Sequence, residues 1–347
     1  MSNQGIIAIE GTKATIQDIP IPKLRNDYVL IKVKAVALNP TDWKHIAFGL
    51  APPGAKVGCD YAGVVEEIGS AVTKPFKKGD RIAGFAHGGN AVYHEDGSFS
   101  NYITAKGDIQ TTIPDNLSFE EASTIGVSFL TVGQALYQSL EMPLPGKGKF
   151  DGTLLIYGGS TASGAIGIQF AKLSGAKVVV TASPKNFDYV KSLGADAAFD
   201  YNSPTCSEDI KAWSNGSITH AFDCISEGSS TDITVAAMST SSPGIYTNLL
   251  SVKGENIPKN IANKSTLAYT AIGEAFTWPM MDFPAQPENL EFGKMFMEIT
   301  RQALADGSVK VHKPSVNKYG EGLEGVMKGM QAMKEGKVSG EKLVFVL

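Results

Sequence analysis

Cysteine is scarce in this chain: Cys59, Cys206 and Cys224 are the only three among 347 residues, and no Cys-x-x-Cys pair occurs. So sparse and odd a set excludes a disulfide framework and points to a reducing compartment. It also excludes a four-cysteine structural zinc lobe. An excess of one charge is lacking too. Lys and Arg number 31 against 35 Asp and Glu, a net charge of −4 with no basic block, so nucleic acid is not an expected partner. No apolar run approaches a membrane span. Residues 1–5 lead directly into soluble sequence with no basic-then-apolar leader, so a cytoplasmic protein without a membrane partner is expected. His45, His87, His94, His220 and His312 are scattered without triad spacing and read as structural or exposed.

What is present is globular: 43% hydrophobic and 19% charged residues, in a chain long enough for two domains. The most informative stretch begins with the apolar run Leu154-Leu155-Ile156-Tyr157. It feeds the turn Gly158-Gly159-Ser160-Thr161-Ala162-Ser163-Gly164-Ala165-Ile166-Gly167, then a helix-like segment over Ile168–Leu173 and a second apolar run over 177–182. Strand, tight turn, helix and strand make one βαβ unit with a dinucleotide-binding turn. Small residues let backbone N–H groups approach a pyrophosphate, and the helix N-terminus adds partial positive charge. Gly167 is expected to let the helix pack closely on the strand. The motif departs from strict G-x-G-x-x-G at Thr161 and Ala162. After the second strand, where NAD-binding units place a carboxylate for the ribose 2′-OH, the chain has Ser183-Pro184-Lys185-Asn186. A hydroxyl and a cation suit a 2′-phosphate, so the cofactor reads as NADPH; the bland alternative is a solvated lysine in a surface turn.

Residues 1–120 read as β-rich, with strands over 28–36, 60–67 and 100–105 and a turn followed by a strand over 79–84, punctuated by Pro and Gly, as in a compact barrel-like domain. Ser118 and Glu121 have capping-box spacing for a helical stretch reaching about residue 140. From 153 to 272 strands and helices alternate, which predicts a doubly wound parallel sheet whose last strand spans 266–272. Residues 275–288, rich in Pro and aromatics, read as a long loop. Helices are expected over 293–306 and 319–335, and a strand over 342–347. The expected domains are 1–120, a nucleotide-binding domain over 121–290, and a return to the first domain over 291–347.

This layout resembles the medium-chain dehydrogenase/reductase superfamily over essentially the whole chain. The resemblance implies a GroES-like barrel-type domain joined to a Rossmann domain. The zinc-free quinone and enoyl reductase branch is similar at Asn39-Pro40-Thr41-Asp42, at Gly58-Cys59-Asp60-Tyr61-Ala62-Gly63 and over 72–84. The fungal trans-acting enoyl reductases of polyketide synthesis are more similar still. Their features stand in Tyr157-Gly158-Gly159-Ser160-Thr161-Ala162, Ser183-Pro184-Lys185-Asn186-Phe187-Asp188, Phe222-Asp223-Cys224-Ile225, Gly273-Glu274-Ala275-Phe276-Thr277-Trp278-Pro279 and Ser339-Gly340-Glu341-Lys342-Leu343.

The positions that carry catalytic zinc ligands in the zinc alcohol dehydrogenases hold Asn39, Cys59 and Val127 here, so no metal is expected. Without a Lewis acid, reduction of an activated C=C is favoured over alcohol–ketone interconversion. The resemblance places Pro40, Thr41, Asp42, Trp43 and Lys44 near the nicotinamide ribose. Lys44 either bonds ribose or enolate oxygen or is an ordinary surface lysine. Thr131, in Gly126-Val127-Ser128-Phe129-Leu130-Thr131-Val132-Gly133, either lines the substrate pocket or is a core threonine bonded to its own backbone. Ser160, Thr161, Ala162, Ser163, Gly164 and Gly167 belong to the pyrophosphate turn, and Ser183, Pro184, Lys185 and Asn186 to the 2′-phosphate site. The resemblance puts Tyr201 at the adenine, Asn248 and Leu249 toward the nicotinamide, and Val338 and Ser339 at the closing edge. Ile272, Gly273, Glu274, Ala275 and Phe276 would line an acyl channel, with Phe276, Trp278, Met280, Met281 and Phe283 either its greasy wall or a packed loop.

The implied function is NADPH-dependent reduction of an α,β-unsaturated acyl thioester, the partner being an acyl carrier protein or polyketide synthase. A basic patch around Lys147 and Lys149 would suit an acidic carrier. The alternatives are a stand-alone quinone or enone reductase, which Gly164-Ala165-Ile166-Gly167 favours, and a non-catalytic NADPH-binding protein. Prolines after the expected 266–272 edge strand predict a monomer.

Overall fold

The structure, a computed structural model, describes residues 3–347. The chain divides into two compact units, one holding residues up to Leu130 together with Tyr269–Leu347, the other Thr131–Ala268. These divisions fall at 130/131 and 268/269, where the sequence reading put 120/121 and 290/291. The helix Gly126–Gly133 runs across the first division. At the second, the segment after Ala268 packs into the first unit, with the Tyr269 ring against Phe85 and His87.

In the first unit the strand Tyr28–Ala37 is the hub of a seven-stranded sheet. Its Val, Ile and Tyr content suits a pleated, two-sided burial. It pairs antiparallel with Asp60–Ile68, Tyr102–Lys106 and Lys342–Val346. Register shifts at Leu30/Ile31 and Val33/Ala35 bend it, as bulges do. The sheet continues through Arg81–Phe85 to Thr111–Thr112 on one side and to Pro314–Val316 on the other. Ile31, Val33, Tyr61, Ile82, Ile103 and Phe345 lie in one buried core, joined by Val326 and Met330 of the helix Gly322–Lys334. An N-terminal hairpin, Asn3–Ile9 with Lys13–Ile19, has no counterpart among the expected strands.

The second unit is built on six parallel strands. Side by side they run Ala197–Asp200, Lys177–Ala182, Thr153–Tyr157, His220–Asp223, Gly244–Asn248 and Ile261–Ser265. Strand order therefore reverses between Thr153–Tyr157 and His220–Asp223, the switch point where doubly wound sheets bind ligands at their carboxyl ends.

Two sequence expectations are corrected. The sixth strand is Ile261–Ser265, and Ala268–Ile272 is a short 3-10 helix. Ala268, Tyr269, Ala271 and Ile272 are all buried, and a short run buried on every side has no period to separate strand from helix. The expected loop over 275–288 holds a hairpin, Phe276–Trp278 paired with Met281–Phe283. Pro279 and Met280 make its turn, and Phe276 stacks on Phe283 at 4.4 Å between ring centres. Residues 40–44 lie in the helix Pro40–Ala47, with proline at its first position, where the missing N–H costs nothing. Among the described residues no helix is long and apolar enough to cross a membrane.

Candidate active site

At the carboxyl end of Thr153–Tyr157 the chain turns through Gly158, whose φ of +83° is left-handed. Gly158 N donates to Thr181 Oγ1 at 3.0 Å and Gly159 N to Thr181 O at 2.8 Å, which ties the turn to the neighbouring strand. Thr161 caps the helix Ala162–Leu173: its hydroxyl donates to Gly158 O and accepts from Gly164 N. The Ala162 and Ser163 N–H groups have no intrahelical acceptor by helix geometry. No acidic residue stands in that first turn, so it fits an anion. A Cβ on Gly164 would collide with the Gly158 carbonyl oxygen, and one on Gly159 would come within 2.7 Å of Val180 Cβ. Gly167 differs from expectation. A Cβ there would sit 3.4 Å from Ile156, ordinary contact, so close packing does not require glycine at 167; the demanding position is Gly164.

The end of the second strand gathers the residues proposed for the 2′-phosphate. Ser183 Oγ lies 3.1 Å from Tyr201 OH, and Asn186 Nδ2 donates to Ser160 Oγ at 3.2 Å. The Tyr201 ring stands 6.2 Å from that of Tyr157. Pro184 and Lys185 are exposed on the short turn Pro184–Asn186. Asp200, at the end of the next strand, accepts from Asn202 N and Nδ2 and is occupied by its own turn. Hydroxyls, an amide and an ammonium thus share this strand end.

Asn248 is fully buried, donating to Asn263 Oδ1 and accepting from Ser265 Oγ, both at 2.8 Å; Leu249 N donates to Ser226 Oγ. Asp223 organises this edge; the sequence reading quoted it within Phe222-Asp223-Cys224-Ile225 but gave it no role. Its carboxylate accepts from Ile225 N, Ser226 N, Ser230 Oγ and Tyr246 OH. Its signal was an acidic residue ending an apolar strand. Lys147 and Lys149 are exposed just before Thr153. They sit at the amino end of that strand, roughly 17 Å from the glycine turn at a strand's rise per residue.

In the first unit, Lys44 is half-buried with its ammonium 5.7 Å from the Trp43 ring centre. Thr41 and His45, one turn apart on Pro40–Ala47, join a buried chain. Thr41 Oγ1 lies 2.9 Å from both His45 Nδ1 and Tyr269 OH, and Tyr269 OH lies 3.3 Å from Cys59 Sγ. The Tyr269 ring packs 4.5 Å from His87. Two of the five scattered histidines therefore meet in the fold, and no spacing in the sequence announced it. Burial holds both in the neutral form, His45 at about 4 and His87 at about 3. Asp42 accepts from Asn39 N at 2.6 Å, and burial pushes its carboxyl up to about 7.

The three zinc-ligand positions do not fit a metal. Asn39 Oδ1 accepts from Lys342 Nζ at 2.5 Å. Burial raises the Cys59 thiol well above its ordinary range, away from the thiolate that zinc needs. Val127 offers only its backbone N–H, which donates to Asp60 Oδ1 at 2.6 Å. Lys342 Nζ also pairs with Asp60 Oδ2 at 2.7 Å.

Gly126–Gly133 carries Gly126, Ser128, Phe129, Leu130, Thr131, Val132 and Gly133 buried, Val127 alone being half-buried; Thr131 is 4% exposed. Val338 is half-buried and Ser339 exposed in the turn before Lys342–Val346. Ile272 and Phe276 are buried and Ala275 is exposed, while Gly273, at φ +78°, faces Leu290. Glu274 accepts from Tyr28 OH at 3.0 Å and Lys106 Nζ at 2.8 Å, an ionic network rather than an apolar wall. A cavity of about 810 Å³ opens among Val92, Tyr93, Glu274, Phe276 and Phe283.

Residues 25–115 match the alcohol dehydrogenase GroES-like domain and residues 162–242 the zinc-binding dehydrogenase family. The chain is 44% identical to the trans-enoyl reductase ACTTS2 of Alternaria alternata, over 99% of each protein. It is 51% identical to the trans-enoyl reductase TOXD of Cochliobolus carbonum, over 81% of this chain and 94% of that one. A quinone oxidoreductase from Coxiella burnetii shares the fold across the full length of both chains, with a TM-score of 0.74 at 22% identity. The chain belongs to the medium-chain dehydrogenase/reductase superfamily, among its fungal trans-enoyl reductases.

Proposed function

We propose that this protein is an NADPH-dependent enoyl reductase that reduces the C=C of an α,β-unsaturated acyl thioester carried by a separate polyketide synthase. The observation that carries the reading is 44% identity to a trans-enoyl reductase over 99% of both chains. It is an oxidoreductase of a family that uses a nicotinamide cofactor. The choice of NADPH rests on Ser183, Lys185 and Tyr201 at the end of the second strand, where no carboxylate waits for a ribose diol.

A bound nicotinamide would supply the hydride that the β-carbon accepts. The chain's own part is positioning and charge. Thr161 and the first-turn N–H groups of Ala162 and Ser163 would hold the pyrophosphate. Lys185, with the hydroxyls of Ser183 and Tyr201, would hold the 2′-phosphate. Lys44 neutralises charge on the enolate oxygen or bonds the ribose, and Thr131 donates from the pocket wall. Water delivers the proton that completes the α-carbon.

The test is NADPH oxidation with a medium-chain enoyl pantetheine thioester and a simple quinone offered side by side, repeated with NADH. Faster thioester turnover with NADPH supports the reading. Quinone turnover alone moves the protein to the small-molecule reductases, and no turnover on either substrate leaves a cofactor-binding protein. The protein is proposed to be a monomer, its edge strand Ile261–Ser265 carrying Lys264, which pairs with Glu141 at 2.6 Å. A charged, occupied edge resists strand pairing, and a dimer in light scattering at micromolar concentration would overturn this.

A further inference from the structure

Beyond Ser339 at the closing edge, the motif Ser339-Gly340-Glu341-Lys342-Leu343 has no part in the function above, yet its lysine is one of the most buried charges among the described residues. Lys342 is 3% exposed and its partner Asp60 0%. The ammonium reaches Asp60 Oδ2 at 2.7 Å and Asn39 Oδ1 at 2.5 Å. Each partner is tied to the start of a helix. Asn39 immediately precedes Pro40–Ala47 and donates its N–H to Asp42 Oδ2. Asp60 Oδ1 accepts from Val127 N in the first turn of Gly126–Gly133. These two helices carry Lys44 and Thr131, the two candidate catalytic side chains. One cation therefore fixes the N-terminal ends of both: it touches Asn39, at one zinc-ligand position, and Asp60, the neighbour of Cys59 at the second, whose other oxygen holds the N–H of Val127 at the third.

We propose that Lys342 is a positioning residue for the reductase reaction: its buried ammonium stands in for the absent metal as the organising cation of the site. A metal ion fixes its ligands by charge and geometry together. An ammonium with three donors supplies one positive charge where zinc would supply two, and holds its partners at hydrogen-bond distance; it is delivered by the backbone of the strand Lys342–Val346, so it cannot dissociate. An uncompensated Asp60 at this depth would be costly, which is why the pair stands or falls together. The site thus keeps a cation without offering a substrate carbonyl any open coordination position, in keeping with reduction of an alkene instead of a carbonyl.

The test separates positioning from mere stability. Asn39→Ser keeps a good helix cap and leaves the Lys342–Asp60 pair whole, but its side chain is too short to reach the ammonium. Its kcat should fall about tenfold or more, with KM for the thioester within about twofold and an almost unchanged melting temperature. The single variant Lys342→Met should melt early because Asp60 is left without its counter-charge. The double variant Asp60→Asn with Lys342→Met removes both charges; its melting temperature should recover while kcat stays low. Unchanged kcat in Asn39→Ser, or recovery of kcat together with stability in the double variant, would overturn the proposal. So would stoichiometric zinc found in the purified wild-type protein by metal analysis. The proposal rests on the enoyl reductase reading for its assay alone. If the wild type reduces only the quinone, that reading fails and the same variants are scored on quinone turnover, where the same fall in kcat is expected.

Discussion

Asp42 carries a carboxyl into a place where charge is unwelcome. Its ordinary value is 3.8, and burial lifts it to about 7. The folded protein thus binds a proton between those limits that the unfolded chain releases. By linkage, this group lowers stability as pH rises from about 4 to about 7. Asp42→Asn removes the penalty and keeps an acceptor for Asn39 N, so its melting temperature should gain on the wild type more at pH 8 than at pH 5. Calorimetry at the two values checks the sign; an equal gain at both would mean that Asp42 is ionised throughout. Lys185 is simpler, an exposed cation on a turn with hydroxyl neighbours. Lys185→Glu should raise KM for NADPH about 10- to 100-fold, the worth of one charge-assisted contact, with little change for NADH. Equal loss on both cofactors would move the 2′-phosphate elsewhere.

The glycine turn and its helix make a sharper claim about packing. Gly164→Ala would drive a methyl into the Gly158 carbonyl oxygen, so the turn must open and cofactor affinity should be lost, read by quenching of protein fluorescence on NADPH binding. Gly167→Ala meets only ordinary contacts in the interior of a helix. It should stabilise by up to about 1 kcal/mol, a rise of about 1–2 °C in the melting temperature of a chain of this length. Were both glycines equally intolerant, the close approach would involve the whole first two turns. Elements of this kind were readable from sequence because their signals are local: an apolar run, a small-residue turn, the next apolar run. Five of the six parallel strands came from the same periodicity; the sixth was expected over 266–272 and lies at Ile261–Ser265. The hairpin Phe276–Phe283 was not readable, since Pro279 and Pro284 hide strands held by aromatic stacking across the turn. Nor was the 3-10 helix Ala268–Ile272, buried on every side. The chain Cys59–Tyr269–Thr41–His45 and the triad Asn39–Lys342–Asp60 join residues up to 303 positions apart, and nothing local records such meetings.

At the scale of the molecule, cofactor binding and stability are linked. A ligand that binds only the folded state stabilises it by about 2.7 kcal/mol at one hundred times its dissociation constant. NADPH should therefore raise the melting temperature at concentrations where NADH does not, and Lys185→Glu should erase the difference. A shift of equal size with both nucleotides would count against 2′-phosphate recognition. The first unit is made from two separated stretches of chain with residues 131–268 between them, and the strand Lys342–Val346 lies inside its sheet, beside Tyr28–Ala37. On a ribosome adding about 5–20 residues per second, the early stretch emerges well before its missing strand exists. The nucleotide unit can close in that interval, while Asp60 waits without the lysine that will neutralise it. Birth order thus makes the cation the final part to arrive, and a nascent chain halted before Lys342 should fall to proteases in its first unit alone.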